Sequence, residues 1–188
     1  ADMEPSEVAE PTGFIFTSTG NQVSRKSVLC DPQKIRLGGK SIILEEAMMR
    51  GDLARITMGQ YSMVGRQAVV RPPFKKFTGG MVFFPVKIGD YVEIGDHAIV
   101  SAASIGNGVK IGRESIIGKR CILKDYCEVA DGAIVPPDTV IPSFSFFGGH
   151  PARFIKELPE SYGEKRRNES ITRYKNFSEK SIAQKQKG

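Results

Sequence analysis

The sequence predicts an all-β chain: a left-handed parallel β-helix of hexapeptide repeats, followed by a C-terminal α-helix. Three observations carry this. An aliphatic residue returns at every sixth position (Ile88, Ile94, Val100, then Ile105, Ile111, Ile117, Leu123, Val129, Val135, Ile141), and Phe147 closes the run. Four residues after each sits a small or β-branched residue, such as Val92, Ala98, Ser104, Val109, Ser115, Cys121, Cys127, Ala133, Thr139 or Ser145. Glycine follows the aliphatic directly at Gly89, Gly95, Gly106, Gly112 and Gly118. A period of six fits neither an amphipathic helix nor a hairpin array, whereas it is the mark of stacked hexapeptide coils.

Each hexapeptide makes a short strand and a corner. The small residue and the next aliphatic lie two apart, so both point inward and the residue between them points out. Three hexads close a triangular coil of about eighteen residues, and coils stack at the ~4.8 Å inter-strand spacing. Tight corners favour Gly, Asn and Asp. Ile94, Ile111, Ile117 and Cys121 are structural residues of this interior, and each inward aliphatic contributes about 1.5–3 kcal/mol by burial. One hexad, between Val100 and Ile105, is a residue short.

Toward the N-terminus, Met58, Val64 and Val70 keep the period, with Ser62 and Ala68 at the small places. Ile43 and Met49 also lie six apart, and the spacing between Met49 and Met58 is irregular. Residues 23–43 read as one more imperfect coil. The prism is therefore expected over 23–148, as six to seven coils, preceded by an N-terminal extension at 1–22. The first residues, ADMEPSEVAEPTG, are acidic and Pro-rich, which is not the pattern of a secretory signal.

An insertion at 72–85 interrupts the rhythm. It is bounded by Pro72, Pro73 and Pro85 and hinged at Gly79–Gly80. It carries Phe74, Lys75, Lys76, Phe77, Phe83 and Phe84, preceded by Arg71. Either these aromatics fold back on the prism, or the segment docks a partner, as loops on rigid scaffolds commonly do. The chain leaves the prism through Gly148, Gly149 and Pro151. In the tail, 149–188, a helix is expected from Pro159 or Glu160 to about Lys180, with a narrow apolar stripe of Ile171, Tyr174 and Phe177. The last residues, SIAQKQKG, are expected to be disordered.

The 188 residues carry a formal charge of +6, with 40% hydrophobic and 26% charged residues. The stretch 156–188 has nine Lys or Arg against five Glu and so supplies +4 of that charge. It reads as a solvated helix and basic tail, because no nucleic-acid-binding motif accompanies it. No apolar run approaches a membrane span. Three cysteines, with Cys121 and Cys127 at inward small positions, fit a reducing compartment.

Two enzyme classes share such a repeat. Hexapeptide acyltransferases need a histidine base, and here only His97, at a corner, and His150, after the prism, are available; neither has an obvious acidic partner in sequence, and a lone corner histidine is more often a surface residue than a base. The resemblance to γ-class carbonic anhydrases covers most of the prism. Arg50-Gly51-Asp52 stands at that family's Arg-Gly-Asp, and GGHPARFIKEL is similar to its terminal turn. Its three zinc histidines correspond here to Arg71, Asp96 and Ser101, and its polar assistants to Met63 and Gly65. A guanidinium repels the metal that an imidazole binds, so no catalytic metal and no cofactor are expected. Arg50 and Asp52 are assigned a structural role.

A third, more specific resemblance runs over about 21–159. NQVSRKSVLC, MMRGDLARI, VVRPPFKKFTGGMVFFPVKIGD, IGKRCILKD and VPPDTVIPSF closely resemble the dynactin subunit five family, the β-helical pointed-end subunits related to the γ-class enzymes. The resemblance implies a non-catalytic part of dynactin, the adaptor that joins dynein to cargo on microtubules. It implies a β-helical partner like dynactin subunit six, an actin-related pointed-end protein, a larger zinc-rich pointed-end subunit and dynein cargo adaptors. It also implies a cytoplasmic, microtubule-associated place in early-endosome transport, without nucleic acid or direct membrane insertion. The partner-binding residues expected are Arg71, Phe74, Lys75, Lys76, Phe77, Phe83 and Phe84.

Overall fold

In the computed structural model, residues 13–187 are described. The acidic stretch 1–12 and Gly188 lie outside them. Parallel strands stack as a three-faced β-solenoid of about six turns, and one α-helix, Ser161–Lys187, follows.

The register shows why the repeat specifies this stack. On the first face Val23, Ile43, Val64, Ile94, Ile111, Val129 and Phe147 align rung on rung. On the second, Leu29, Met49, Val70, Val100, Ile117 and Val135 do so. On the third, Leu37, Met58, Ile88, Ile105, Leu123 and Ile141 do so. These residues and the inward small ones form one continuous core, in which Ile94, Ile111, Ile117 and Cys121 are at most 1% exposed. The imperfect coil read from 23–43 is thus a true first turn.

The short hexad differs from its expected reading. Ser104 sits beside Lys87 and Ile122 on the outside of the third face, and Ala102 turns inward instead. Strand alternation is kept, since Ser104 directly precedes inward Ile105, and the missing residue is taken from the corner. The irregular step between Met49 and Met58 is a corner bulge clipped by a bidentate ion pair. Arg50 donates from Nε and Nη2 to the two Asp52 carboxylate oxygens, both at 2.9 Å. The hydrogen bonds from Arg50 hold the Asp52 carboxyl below the usual carboxylate range.

Corners also depart from the expected Gly, Asn and Asp. Tyr61, Tyr91, Tyr126 and Phe144 all adopt left-handed φ of 53–58° along one corner. Such a conformation costs an L-residue about 1–2 kcal/mol. Ring stacking along the corner offsets it: Tyr61 on Tyr91 at 5.9 Å, and Tyr126 on Phe144 at 5.3 Å. Gly108 breaks the series, because a Cβ there would meet the Tyr126 ring.

Both ends of the first face are closed by antiparallel strands. Phe14–Phe16 pairs with Gln22–Ser24, so part of the span expected to precede the prism belongs to its sheet. At the other end Ala152–Glu157 folds back on Ser145–Gly149. The helix then runs along this face to Lys187. The tail SIAQKQKG, expected to be disordered, is helical over its described residues because Ser181 is anchored: its hydroxyl lies 3.2 Å from Gln22 Oε1.

Burial pushes the Cys127 thiol up to about 12, and desolvation likewise raises Cys121. Cys30 is half-buried. Iodoacetamide at pH 8 should therefore label Cys30 alone in the native protein, as peptide mass spectrometry would show. The raised Cys127 pKa makes stability complete below its ordinary value of 9.0 and progressively lost as pH climbs toward about 12. Alkaline thermal melts should shift less in Cys127→Ala than in the parent.

Candidate protein-docking surface

The outward residues distinguish the three faces. On the first they are Gln22, Ile42, Met63, Glu93, Lys110, Glu128 and Phe146, and the helix lies over them. On the third they are Arg36, Thr57, Lys87, Ser104, Ile122 and Val140, a mixed polar set. On the second they are Val28, Met48, Val69, Ile99, Ile116 and Ile134, aliphatic in every coil. Val28, Ile99, Ile116 and Ile134 are 37–44% exposed. Five steps at ~4.8 Å make this a flat apolar ladder about 24 Å tall. Contiguous apolar patches of this kind mark interaction surfaces, whereas scattered single hydrophobes do not.

The insertion lies at the corner between the second and third faces, and it is a β-hairpin rather than a loop. Phe74–Phe77 pairs with Gly80–Phe83 across a Thr78-Gly79 turn. Its aromatics divide between packing at the base and exposure at the tip. Phe74 and Phe83 are half-buried against each other at 5.7 Å, and the base is tied to the prism. Arg120 Nη1 donates to the Phe74 carbonyl at 2.6 Å, and Lys119 Nζ stands 4.0 Å above the Phe74 ring. Arg120 in turn forms a bidentate pair with Asp138, at 2.7 and 2.8 Å. The tip is different: Phe77 and Met81 are about half exposed, with Val82 at 45%. Lys75, Lys76 and Arg71 are exposed, and Phe84 is half-buried. Met81 and Val82 belong to the exposed surface although the aromatic-plus-basic pattern did not single them out; they lie on opposite faces of a hairpin that is open on both sides.

The positions that correspond to zinc ligands are not brought together within this chain. Arg71 follows the second face, where its backbone N–H bonds the Val100 carbonyl, and Ser101 lies at the same corner. Asp96 lies at the corner between the first and second faces, where its Oδ1 accepts the Arg66 N–H at 2.8 Å. His97 is exposed at that corner beside Asp96, and His150 is exposed in the turn before Pro151. Among the described residues no group of three or more His, Cys, Asp or Glu is placed to hold a metal. Among them also, no helix is long and apolar enough to cross a membrane.

The helix contact follows from polar rather than apolar spacing. Tyr162, Arg166, Ser170, Arg173, Tyr174, Phe177 and Ser181 face the prism; of the expected stripe, Tyr174 and Phe177 hold and Ile171 lies beside it. Arg166 is 1% exposed. Its Nη1 lies 2.8 Å from Glu169 and 3.6 Å from Glu93, and its other nitrogens reach the carbonyls of Gly108 and Tyr91 at 3.4 and 3.3 Å. Arg173 adds a 3.3 Å pair to Glu93, and burial lowers its pKa. At the aromatic corner the guanidinium therefore meets backbone, the carbonyls of Gly108 and Tyr91, rather than a ring.

Comparison with known structures gives the fold. A hexapeptide transferase family protein from Anaplasma phagocytophilum superposes with a TM-score of 0.64 at 21% identity, over 87% of this chain and 94% of that one. A variant of AntD, an N-acyltransferase from Bacillus cereus in complex with dTDP and coenzyme A, gives 0.68 at 18% identity, over 90% and 96%. Identity at this level shows shared architecture alone. In sequence, the chain is 46% identical to "Dynactin subunit 5" of Dictyostelium discoideum over 83 residues, which is 44% of this chain. The match spans 42% of that relative, less than half its length. The family model described as Dynactin subunit 5 matches residues 4–182, nearly the whole chain, and the chain therefore belongs to the dynactin subunit 5 family.

Proposed function

We propose that this chain is a non-catalytic subunit of the dynactin pointed end, a rigid docking element between dynein–dynactin and endosomal cargo. Family membership supports a place in dynactin. The observation that carries the scaffold reading is the aliphatic ladder on the second face, which is built for a flat partner rather than a small molecule. A related β-helical subunit matches it rung for rung, since two sheets pack face to face at ~10 Å. The hairpin tip, with Phe77, Met81 and Val82 beside Lys75 and Lys76, offers a second contact for the actin-related subunit, the zinc-rich subunit or a cargo adaptor. Such a subunit works in the cytoplasm on microtubule-associated assemblies that carry early endosomes.

Replacing Ile99 and Ile116 by Glu should leave the circular dichroism spectrum unchanged. The yield of dynactin subunits recovered with the tagged chain should fall by roughly tenfold or more, since each charge would be desolvated in a packed apolar contact. Phe77→Ser with Met81→Ser should weaken recovery less, because the tip is small. The rival reading is an acyltransferase that uses His97 or His150 as base. Saturable acyl-coenzyme A binding by a lone homo-oligomer, with no dynactin subunits recovered, would overturn the scaffold.

A further inference from the structure

The first coil differs from those below it. Ile43, Met49 and Met58, one coil down, are at most 1% exposed, whereas Leu29, Ile35 and Leu37 are only half-buried. Among the described residues no coil covers them. On the first face Phe14–Phe16 closes the sheet, but Val28–Cys30 and Ile35–Leu37 are the terminal strands of the other two sheets. Among the described residues, two adjacent strand edges are therefore unpaired above an apolar floor. The opposite end is plugged: Ala152 is 3% exposed in the core, and Phe154 packs edge-on against Phe147.

The charge around the open end is predominantly basic. Between Asn21 and Lys40 stand Arg25, Lys26, Lys34, Arg36 and Lys40 against a single acid, Asp31. Asp31 is already paired with Lys34 at 3.5 Å. Arg25, Lys26 and Arg36 are exposed and make no ion pair among the described residues. Free edges call for a backbone that continues the ladders, the half-buried leucines call for apolar side chains, and the rim calls for carboxylates.

We propose that this end of the solenoid docks an acidic, extended segment of a partner protein, which adds strands to the edges of Val28–Cys30 and Ile35–Leu37. In such strand addition the backbone supplies affinity and alternate side chains supply specificity. The cationic rim speeds encounter and rejects basic partners. A second copy is a poor occupant. Head to head, it would bring one basic rim against another. Head to tail, it would have to displace Ala152–Glu157. This inference goes beyond the proposed dynactin role and stands on strand edges and a basic rim, sharing only Val28 with the aliphatic ladder.

The test places a photo-crosslinking amino acid at position 33, exposed between the two edge strands, of the tagged full-length chain in cells, with position 124, toward the far end, as control. The crosslinked peptides are then sequenced. The expected adduct at 33 is a peptide rich in Asp and Glu from another protein, absent at 124. It should fall roughly tenfold in Arg25→Glu/Lys26→Glu/Arg36→Glu and persist in Arg25→Lys/Arg36→Lys. If the triple variant does not fold, the single exposed change Arg36→Gln carries the readout, with a loss of about threefold expected. No adduct, an adduct with a second copy, with residues 1–12 of the same chain or with lipid, or an adduct indifferent to charge reversal would each overturn the proposal. Because any acidic partner counts, failure here is distinct from failure to recover dynactin.

Discussion

Arg166→Ala releases the C-terminal helix from the prism while the coils stay folded. The guanidinium is almost fully buried and serves four groups at once: Glu93, Glu169 and the carbonyls of Tyr91 and Gly108. Removing one member of a buried ionic network typically costs about 3–5 kcal/mol, because the remaining charges and carbonyls lose their partner without regaining full hydration. Arg173 still reaches Glu93, but one of its own nitrogens, Nη2, is already buried without a partner. Amide exchange over 161–187 should quicken by roughly a hundredfold or more, with little change in the strands around Ile117. Unchanged protection of the helix would show that its docking rests on Tyr174 and Phe177 instead.

The second large effect is expected at Gly95→Ala. An added Cβ would stand 2.6 Å from the Arg113 nitrogen and 2.7 Å from the Gly112 carbonyl carbon. Both are backbone atoms of the next coil, so no side chain can swing aside. The stack must open locally, and the expected cost is the upper part of the usual overpacking range, about 3 kcal/mol. For a chain of this size that lowers the melting temperature by roughly 6–12 °C. Gly79→Ala is the control: nothing lies within 4 Å of the added carbon. Equal melting of the two variants would mean that coil spacing is looser than the register implies.

The prism was legible because its cause is local and repeated. Ile94, Ile111 and Ile117 announce their orientation by spacing alone, and six-residue periodicity leaves few alternatives. The docking ladder was equally present in the sequence, but only to a reading that takes every third hexad together. Val69, Ile99 and Ile116 are thirty and seventeen residues apart, and they become neighbours only when the coil closes. The helix seat was hidden for another reason. Its determinants are an arginine, serines and backbone carbonyls, so a search for apolar stripes finds Tyr174 and Phe177 and misses Arg166. Aromatic corners escaped because propensity disfavours them singly, and their stacking is a property of the assembled edge.

In a protein built of stacked coils each layer touches only its neighbours, so the ends fray independently of one another. The helix changes that arithmetic. Tyr162 bonds Glu128 near one end, Arg166 and Ser170 hold the middle at Tyr91, and Tyr174 and Ser181 reach Gly20 and Gln22 at the other. Loss of the first coil then strips contacts that also steady the last ones. Layers that would act as springs in series gain a tie-rod in parallel, and the stack melts as one cooperative body. Tension applied along the axis must shear the whole length of that rod before a single coil can peel away.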